Sequence, residues 1–190
     1  MNAAGSEAER NRLALVGGRG CGKSSAAAQL VGQNPGLRLF DLDALTVEEG
    51  GGRPVVQIVE EEGWRAWRDA EYRVLGRIPE APGAAVVDCG GGIVVDLDDN
   101  DREIFSERKA ETLRGSCHVV YLHCASELLW QRIGEDPNRP PLSADESFHA
   151  LMDRRDPWYR RAAHRVIEAD TLSPEQIAGQ LAALFPFLDA

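Results

Sequence analysis

The amino-acid sequence predicts a three-layer α/β domain with a parallel sheet at its centre. Short apolar runs alternate along the chain with longer segments whose apolar residues have helical spacing. Most of the short runs are almost continuously apolar, which is typical of strands buried on both faces of a parallel sheet. Strand and helix alternation then favours a sheet covered by helices. The length of 190 residues and the apolar content of 43% suit one domain with a substantial core.

The individual elements follow from local patterns. Strands are predicted at 13–16, 37–40, 84–87, 117–122 and 165–168. Helices are predicted over 22–30, over 55–75 with a break near Gly63, and over 127–133. Asp98, Asp99 and Asn100 are candidate N-caps for a helix that extends through Leu113, and Ser173-Pro174 starts the last helix. The segments 50–54 and 134–141 are predicted loops, and residues 1–10 a flexible tail before a single domain over 11–190.

The sequence is acidic, with 31 aspartates and glutamates against 21 lysines and arginines and a formal net charge of −10. Nucleic acid and anionic membranes repel such a chain, so neither is expected as a partner. No apolar run approaches the roughly 20 residues that span a bilayer, and no basic-then-apolar leader begins the sequence. We therefore predict a cytoplasmic protein. The spacing of Cys21, Cys89, Cys117 and Cys124 favours free thiols over a zinc site.

A glycine-rich loop follows the first predicted strand and precedes the first predicted helix. Residues 17–24 read Gly-Gly-Arg-Gly-Cys-Gly-Lys-Ser and fit the pattern GxxxxGK[ST]. In this pattern backbone N–H groups cradle phosphate oxygens, and the helix aims its positive end at the same anion. Lys23 is predicted to neutralise the β- and γ-phosphates of ATP, and Ser24 to bind Mg²⁺. Further ATP contacts are predicted for Gly18, Gly20, Cys21, Gly22 and Ser25. A glycine-rich turn with an exposed lysine is the alternative interpretation.

Two aspartates stand at the carboxyl ends of predicted strands. Asp41 follows the run 37–40, and Asp88 follows the run 84–87. Ligands of open parallel sheets bind beyond the carboxyl ends of the strands, where the glycine-rich loop also lies. Asp41 and Asp88 are therefore candidate Mg²⁺ ligands, with strand-terminal capping as the alternative.

Further short motifs follow in a fixed order and spacing. They are Phe-Asp-Leu-Asp at 40–43, Gly63 with Trp67-Arg68 and Glu71, Asp-Cys-Gly-Gly-Gly at 88–92, Arg132 with Arg139-Pro140, and Arg-Asp-Pro-Trp-Tyr at 155–159. Over about residues 11–188 this set resembles the shikimate kinases, small phosphate-loop kinases of aromatic amino-acid biosynthesis. The resemblance implies the phosphate-loop kinase fold, with a five-stranded parallel sheet in the order 2-3-1-4-5, helices on both faces and a mobile lid over about 134–145. We expect a monomer.

The resemblance also implies roles for individual residues. Arg68 and Arg155 match arginines that bind the shikimate carboxylate, for which a guanidinium is the best-suited side chain. Asp43 matches the aspartate that binds ring hydroxyls, and its ordinary pKa of about 4 would make it a positioning group more than a base. The remaining matches are Gly90, Gly91 and Gly92 against the ring, Arg132 on adenine and Arg139, in the lid, on the γ-phosphate. The implied reaction transfers the γ-phosphoryl group of ATP to the 3-hydroxyl of shikimate with Mg²⁺.

Departures from the family pattern leave alternatives open. Trp64 stands where the family commonly has glutamate, and Asp88 stands where it often has a small or polar residue. One alternative is another small-molecule kinase with the same phosphate loop, acting on gluconate or a nucleotide. The other is a nucleotide-binding or regulatory protein with little catalytic activity.

Overall fold

The computed structural model describes residues 11–78, 83–133 and 146–185. The strands are β1 Arg12–Val16, β2 Arg38–Asp41, β3 Ala85–Asp88, β4 Val95–Leu97, β5 Glu103–Phe105, β6 His118–His123 and β7 Arg165–Glu168. The helices are α1 Lys23–Gln33, α2 Leu42–Glu49, α3 Val55–Leu75, α4 Glu107–Ser116, α5 Ser126–Ile133, α6 Phe148–Ala162 and α7 Pro174–Leu184. The predicted tail at 1–10 and the predicted lid at 134–145, with Arg139, lie outside the described residues.

Each of the five predicted apolar runs forms a strand of one sheet, which has the order β2-β3-β1-β6-β7. Every pairing in this sheet is parallel. Numbered among themselves, the five strands run 2-3-1-4-5, because β4 and β5 form a separate antiparallel hairpin. The central strand β1 is fully buried from Leu13 to Val16, as its continuous apolar sequence predicts.

The two faces of the sheet carry separate cores, which makes the domain three-layered. Successive residues of a strand point to opposite faces, so Leu13 and Leu15 pack with residues of α1 and α7. Ala14 and Val16 instead pack with residues of α3, α4 and α6 on the opposite face. None of the described helices has both the length and the apolar character needed to cross a membrane. All four cysteines are buried free thiols.

The prediction that residues 98–100 start a helix is wrong. Asp98 instead closes the turn of the β4–β5 hairpin, where its Oδ1 accepts hydrogen bonds from the backbone N–H groups of Asn100 and Arg102. Helix α4 starts later, with Ser106 as its N-cap. Aspartate side chains stabilise turns and helix starts through the same local hydrogen bonds, so the residue type alone did not distinguish the two. Helix α2, which Asp41 caps, was not predicted.

The predicted break in α3 lies at Gly63, whose φ of 82° and ψ of 169° are not helical. This region of backbone conformation is essentially confined to glycine. Gly63 redirects the helix immediately before four residues that line one cleft, namely Trp64, Trp67, Arg68 and Glu71.

We expect Gly63→Ala to lower the free energy of unfolding by about 1–3 kcal/mol, because a Cβ makes this backbone conformation strained. Gly32 is the matched control, since it is exposed within α1 and a Cβ there would meet no neighbouring atom. Gly32→Ala should raise the stability by about 0.5–1 kcal/mol through helix propensity. Urea unfolding curves of both variants measure these changes. Equal changes in the free energy of unfolding would contradict the strained backbone at Gly63.

Candidate functional site

A cleft with a volume of about 580 Å³ lies beyond the carboxyl ends of β1, β2 and β3. Its walls come from the glycine-rich loop, the first turn of α2, the second half of α3, the segment 88–92 and helix α6. Ligands of open parallel sheets occupy this position in general. The cleft therefore gathers groups that the sequence places far apart.

The glycine-rich loop curls over the start of α1. Gly20 and Gly22 have φ values of 87° and 98°, which side-chain-bearing residues rarely adopt. Gly22 is also the N-cap of α1 and brings no side chain to cap it. The first N–H groups of the helix, at Lys23, Ser24 and Ser25, consequently remain available to an anion. Gly18 packs tightly against Leu129 and Met152, where a Cβ would not fit.

Lys23 is buried and folds back onto the loop. Its Nζ donates hydrogen bonds to the carbonyl oxygens of Gly17 and Gly18, both at 2.9 Å, and lies 3.5 Å from Cys21 Sγ. Burial alone would lower the pKa of Lys23, but Cys21, Tyr159 and Asp88 outweigh it and raise the pKa above its ordinary value. The ammonium group therefore stays charged at neutral pH.

Asp41 and Asp88 stand side by side at the ends of β2 and β3, in direct register. Asp88 is buried, and its Oδ1 has no hydrogen-bond partner among the described residues. Burial raises the pKa of Asp88, although a hydrogen bond from Ser24 and the charge of Lys23 oppose this. Asp41 is exposed, and its Oδ1 caps α2 by accepting from the Ala44 N–H at 2.9 Å. The capping interpretation thus holds for Asp41, while Asp88 keeps a free oxygen.

Asp43 lies in the first turn of α2 and faces the segment 90–92. A Cβ at position 90 would overlap Oδ1 of Asp43, so only glycine leaves room for this carboxylate. Asp43 is accessible to solvent from the cleft, but the surrounding walls leave its carboxylate less hydrated than in open water. Glu71 and Asp41 also place negative charge near it. These effects raise the pKa of Asp43 to about 6, above the ordinary value expected from sequence.

Arg68 is buried and belongs to a chain of charges. Its Nη1 donates to Glu71, and Oε2 of Glu71 accepts from Lys109 Nζ at 3.0 Å. Lys109 is fully buried and also donates to the carbonyl oxygen of Val95 at 2.7 Å. Burial alone would raise the pKa of Glu71, but Arg68 and Lys109 outweigh it and hold the pKa below its ordinary value. Lys109 Nζ also lies 3.7 Å from Asp96 Oδ1, so the cluster joins two cations, Arg68 and Lys109, to the carboxylates of Glu71 and Asp96.

Three observations describe the surroundings of the Arg68 guanidinium. Its Nε is buried without a hydrogen-bond partner among the residues that the structure describes. A Cβ at position 92 would overlap the guanidinium, so Gly92 leaves the space in which this side chain lies. The indole of Trp64 lies against its other side, with the ring centroid 4.9 Å from Arg68 Cζ. Trp64, which departs from the family pattern, thus forms part of the wall beside Arg68.

Arg155 lines the same cleft from α6 and is also buried. Its Nε and Nη2 donate to the two carboxylate oxygens of Glu103, which lies on β5. The hydroxyl of Tyr159, within hydrogen-bonding reach of Arg155, donates to the carbonyl oxygen of Gly91. Arg68 and Arg155 therefore meet the glycine segment from two different helices.

Arg132 lies at the rim rather than in the cleft. Its Nη1 is 3.4 Å from the Gly20 carbonyl oxygen, and its Nη2 is 3.3 Å from the Asp170 carbonyl oxygen. It is exposed, so one face of the guanidinium remains open beside the glycine-rich loop. This position suits contact with the base of a nucleotide whose phosphates occupy the loop.

The sequence analysis missed two residues that hold the site together, Lys109 and Glu103. For Lys109 a signal existed, because Lys23 and Lys109 are the only lysines among 21 basic residues. Both lysines are buried, Lys23 at 7% and Lys109 at 0% exposure. For Glu103 no signal existed, since the hairpin that carries it was predicted as part of a helix.

Comparison with known proteins gives consistent matches. A family model described as shikimate kinase matches residues 19–185. A shikimate kinase of Leptospira biflexa is 37% identical over 169 residues, 89% of this chain and 92% of that protein. A shikimate kinase of Synechococcus is 35% identical over 184 residues, 92% and 89% of the two chains. The structure of a shikimate kinase from Acinetobacter baumannii in complex with shikimate has a TM-score of 0.77 at 29% identity, with 92% of each chain covered.

We expect Lys109→Met to lower the free energy of unfolding by about 3–5 kcal/mol, because it removes one partner of a buried ion pair. Arg73→Met is the control, since it removes a cation from an exposed pair with Glu49. Exposed pairs contribute little, so this variant should change the stability far less. Denaturant unfolding curves measure both, and a Lys109→Met variant as stable as the control would contradict a structural role for the buried pair.

Proposed function

This chain belongs to the shikimate kinase family, and on that basis we propose which of its residues transfer the γ-phosphoryl group of ATP to the 3-hydroxyl of shikimate. The observation that carries the proposal is the convergence of Arg68, Arg155 and Asp43 on the cleft that also holds Lys23 and the glycine-rich loop. Two buried cations and one carboxylate match an acceptor that bears a carboxylate and ring hydroxyls. The phosphate donor and this acceptor would then share one enclosed space.

The acceptor binds through charge and close backbone contact. Arg68 and Arg155 bind the shikimate carboxylate by charge-assisted hydrogen bonds, which are stronger than neutral ones. The glycines at 90–92 lie between these arginines and Asp43, and without side chains they let the ring approach the backbone. The binding site thus fixes the ring at its carboxylate and leaves a hydroxyl beside Asp43.

Asp43 orients the 3-hydroxyl and accepts its proton as the bond to phosphorus forms. Its pKa of about 6 supports this role, because a base is most effective when its pKa lies near the working pH. At neutral pH most of the carboxylate is still ionised and able to accept. Proton acceptance by Asp43 therefore contributes more to catalysis than it would for an aspartate of ordinary pKa.

Lys23 stabilises the negative charge of the phosphoryl group in transit. In the structure its Nζ binds the carbonyl oxygens of Gly17 and Gly18, which hold it at the mouth of the loop. We propose that β- and γ-phosphate oxygens become its partners when ATP binds, while the N–H groups of the loop and of Ser24 and Ser25 bind the other oxygens. Arg132 contacts the adenine. Arg139, outside the described residues, is proposed to bind the γ-phosphate.

Ser24, Asp88 and Asp41 fit a magnesium ion, because all three supply the hard oxygen ligands that this ion prefers. The buried Asp88 oxygen without a hydrogen-bond partner supports Asp88 as the stronger of the two carboxylate ligands, since Asp41 already caps a helix. A magnesium ion bound there would neutralise charge on the β- and γ-phosphates. We also propose that the enzyme works as a cytoplasmic monomer, with residues 134–145 as its lid.

The test of the proposed function is a coupled assay of ADP release by the wild-type protein with ATP and Mg²⁺. We expect turnover that depends on shikimate, and none above background with gluconate or a nucleoside monophosphate. Turnover with one of those acceptors instead would support another small-molecule kinase. ATP binding by calorimetry without turnover on any acceptor would support a nucleotide-binding protein and contradict the proposed reaction.

Arg68→Ala should raise the KM for shikimate about 10- to 100-fold, because a charged hydrogen bond contributes about 1.5–3 kcal/mol. The KM for ATP should stay the same, since Arg68 lies on the acceptor side. Arg65→Ala is the control, because Arg65 lies one turn earlier on the same helix and pairs with Asp101 at the surface. Unchanged shikimate kinetics in a folded Arg68→Ala variant would rule out this acceptor site.

Gly90→Ala should lower kcat by about 100-fold while changing stability little, since a displacement of about 1 Å at a catalytic group has effects of this size. The new Cβ would overlap only the end of the Asp43 side chain, which can move away at small cost to the fold. Gly179→Ala, at an exposed position of α7, is the control. Steady-state kinetics with melting temperatures measure both, and a fully active Gly90→Ala variant would contradict the placement of Asp43.

A further inference from the structure

The β4–β5 hairpin continues directly from the glycine segment of the cleft. The backbone N–H of Ile93 donates to the Gly90 carbonyl oxygen, and that of Val95 donates to the Gly92 carbonyl oxygen. Residues Ile93, Val94 and Val95 are fully buried. The hairpin is therefore rigidly connected to the segment against which the acceptor is proposed to bind.

Glu103 extends from this hairpin and pairs with Arg155. Arg155 lines the cleft and Glu103 does not, among the residues that the structure describes. The side chains are 1% and 14% exposed, so the pair is almost completely shielded from water. Arg154 adds a second cation to the same carboxylate, with its Nη2 3.2 Å from Glu103 Oε2.

The hydrogen bonds fix which part of the guanidinium remains for a ligand. An arginine side chain has five N–H donors, and Glu103 takes two of them, one on Nε and one on Nη2. Three donors remain, on Nη1 and Nη2, for Tyr159 and for a ligand in the cleft. A bidentate carboxylate also fixes the plane of the guanidinium, so these three donors point in set directions.

We propose that Glu103 is a positioning residue for the acceptor, which it orients through Arg155 without touching the acceptor itself. This inference rests on the proposed function and extends it, because it adds a carboxylate that pairs with a substrate-binding arginine. Glu71, which lines the cleft, pairs with Arg68, and Glu103, which is not among the lining residues, pairs with Arg155. The hairpin thus carries the group that sets the geometry of acceptor recognition.

Competition between Glu103 and the acceptor for Arg155 would change the KM for shikimate in the opposite direction. If Glu103 only competed with the acceptor carboxylate for Arg155, its removal would free the arginine and tighten acceptor binding. If Glu103 orients Arg155, its removal lets the guanidinium rotate and weakens acceptor binding. The direction of the change in KM for shikimate therefore distinguishes the two roles.

The experiment compares Glu103→Gln with the wild type and with Glu107→Gln, a control from the exposed ion pair with Arg161. We expect Glu103→Gln to raise the KM for shikimate about tenfold, with the KM for ATP unchanged, since small misplacements of a binding group have effects of this order. Glu107→Gln should match the wild type. A KM for shikimate that is unchanged or lower in Glu103→Gln would overturn the proposal, as would loss of cooperative thermal unfolding.

A second measurement separates positioning from a general structural effect. Because Glu103 acts through Arg155, the double variant Glu103→Gln/Arg155→Met should have the same KM for shikimate as Arg155→Met alone. Additive effects of the two substitutions would contradict the proposal. The activity of the wild type in the same assay shows whether a negative result concerns the proposed function or only the role of Glu103. An inactive wild type contradicts the proposed function, whereas an active wild type with a normal Glu103→Gln variant contradicts only the role of Glu103.

Discussion

Two guanidinium groups buried beside one cleft set the constraint that the surrounding structure satisfies. A buried charge is costly unless it is paired, and a paired charge has little left to offer a ligand. In this chain a carboxylate pairs with each arginine, Glu71 with Arg68 and Glu103 with Arg155. Each carboxylate also meets a second cation, which itself pairs with a further carboxylate. Buried guanidinium groups thus line the cleft of a chain whose net charge is −10.

The sheet could be predicted from sequence because its information is local. A strand buried on both faces favours a continuous apolar run, and the central strands β1, β3 and β6 are largely buried. The edge strands β2 and β7 are largely exposed and include Arg38, Arg165 and Glu168. The break at Gly63 was equally local, since a glycine within a helical pattern predicts a change of direction. The β4–β5 hairpin could not be predicted in this way. Its strands have only three residues each, and Asp98 stabilises a turn with the same side-chain chemistry that caps a helix.

Residues of the candidate site could be predicted from sequence where a residue type in a short motif has one characteristic role. The glycine-rich loop, Lys23, Arg68 and Arg155 lie in or beside the cleft where the motifs placed them. The environment of those residues was not predictable, because it depends on contacts between distant segments. Lys109 reaches Glu71 across 38 positions and Glu103 reaches Arg155 across 52. The raised pKa of Asp43 has the same origin, since it reflects cleft walls and carboxylates that only the fold brings together.

The most direct measurement compares shikimate with its methyl ester as acceptors for the wild-type enzyme. The ester keeps the ring and its hydroxyls but has no negative charge for the two buried arginines. We expect the KM for the ester to be at least about tenfold higher, which corresponds to the loss of one charged hydrogen bond, with the KM for ATP unchanged. Equal KM values for the acid and the ester would contradict recognition of the acceptor by buried guanidinium groups.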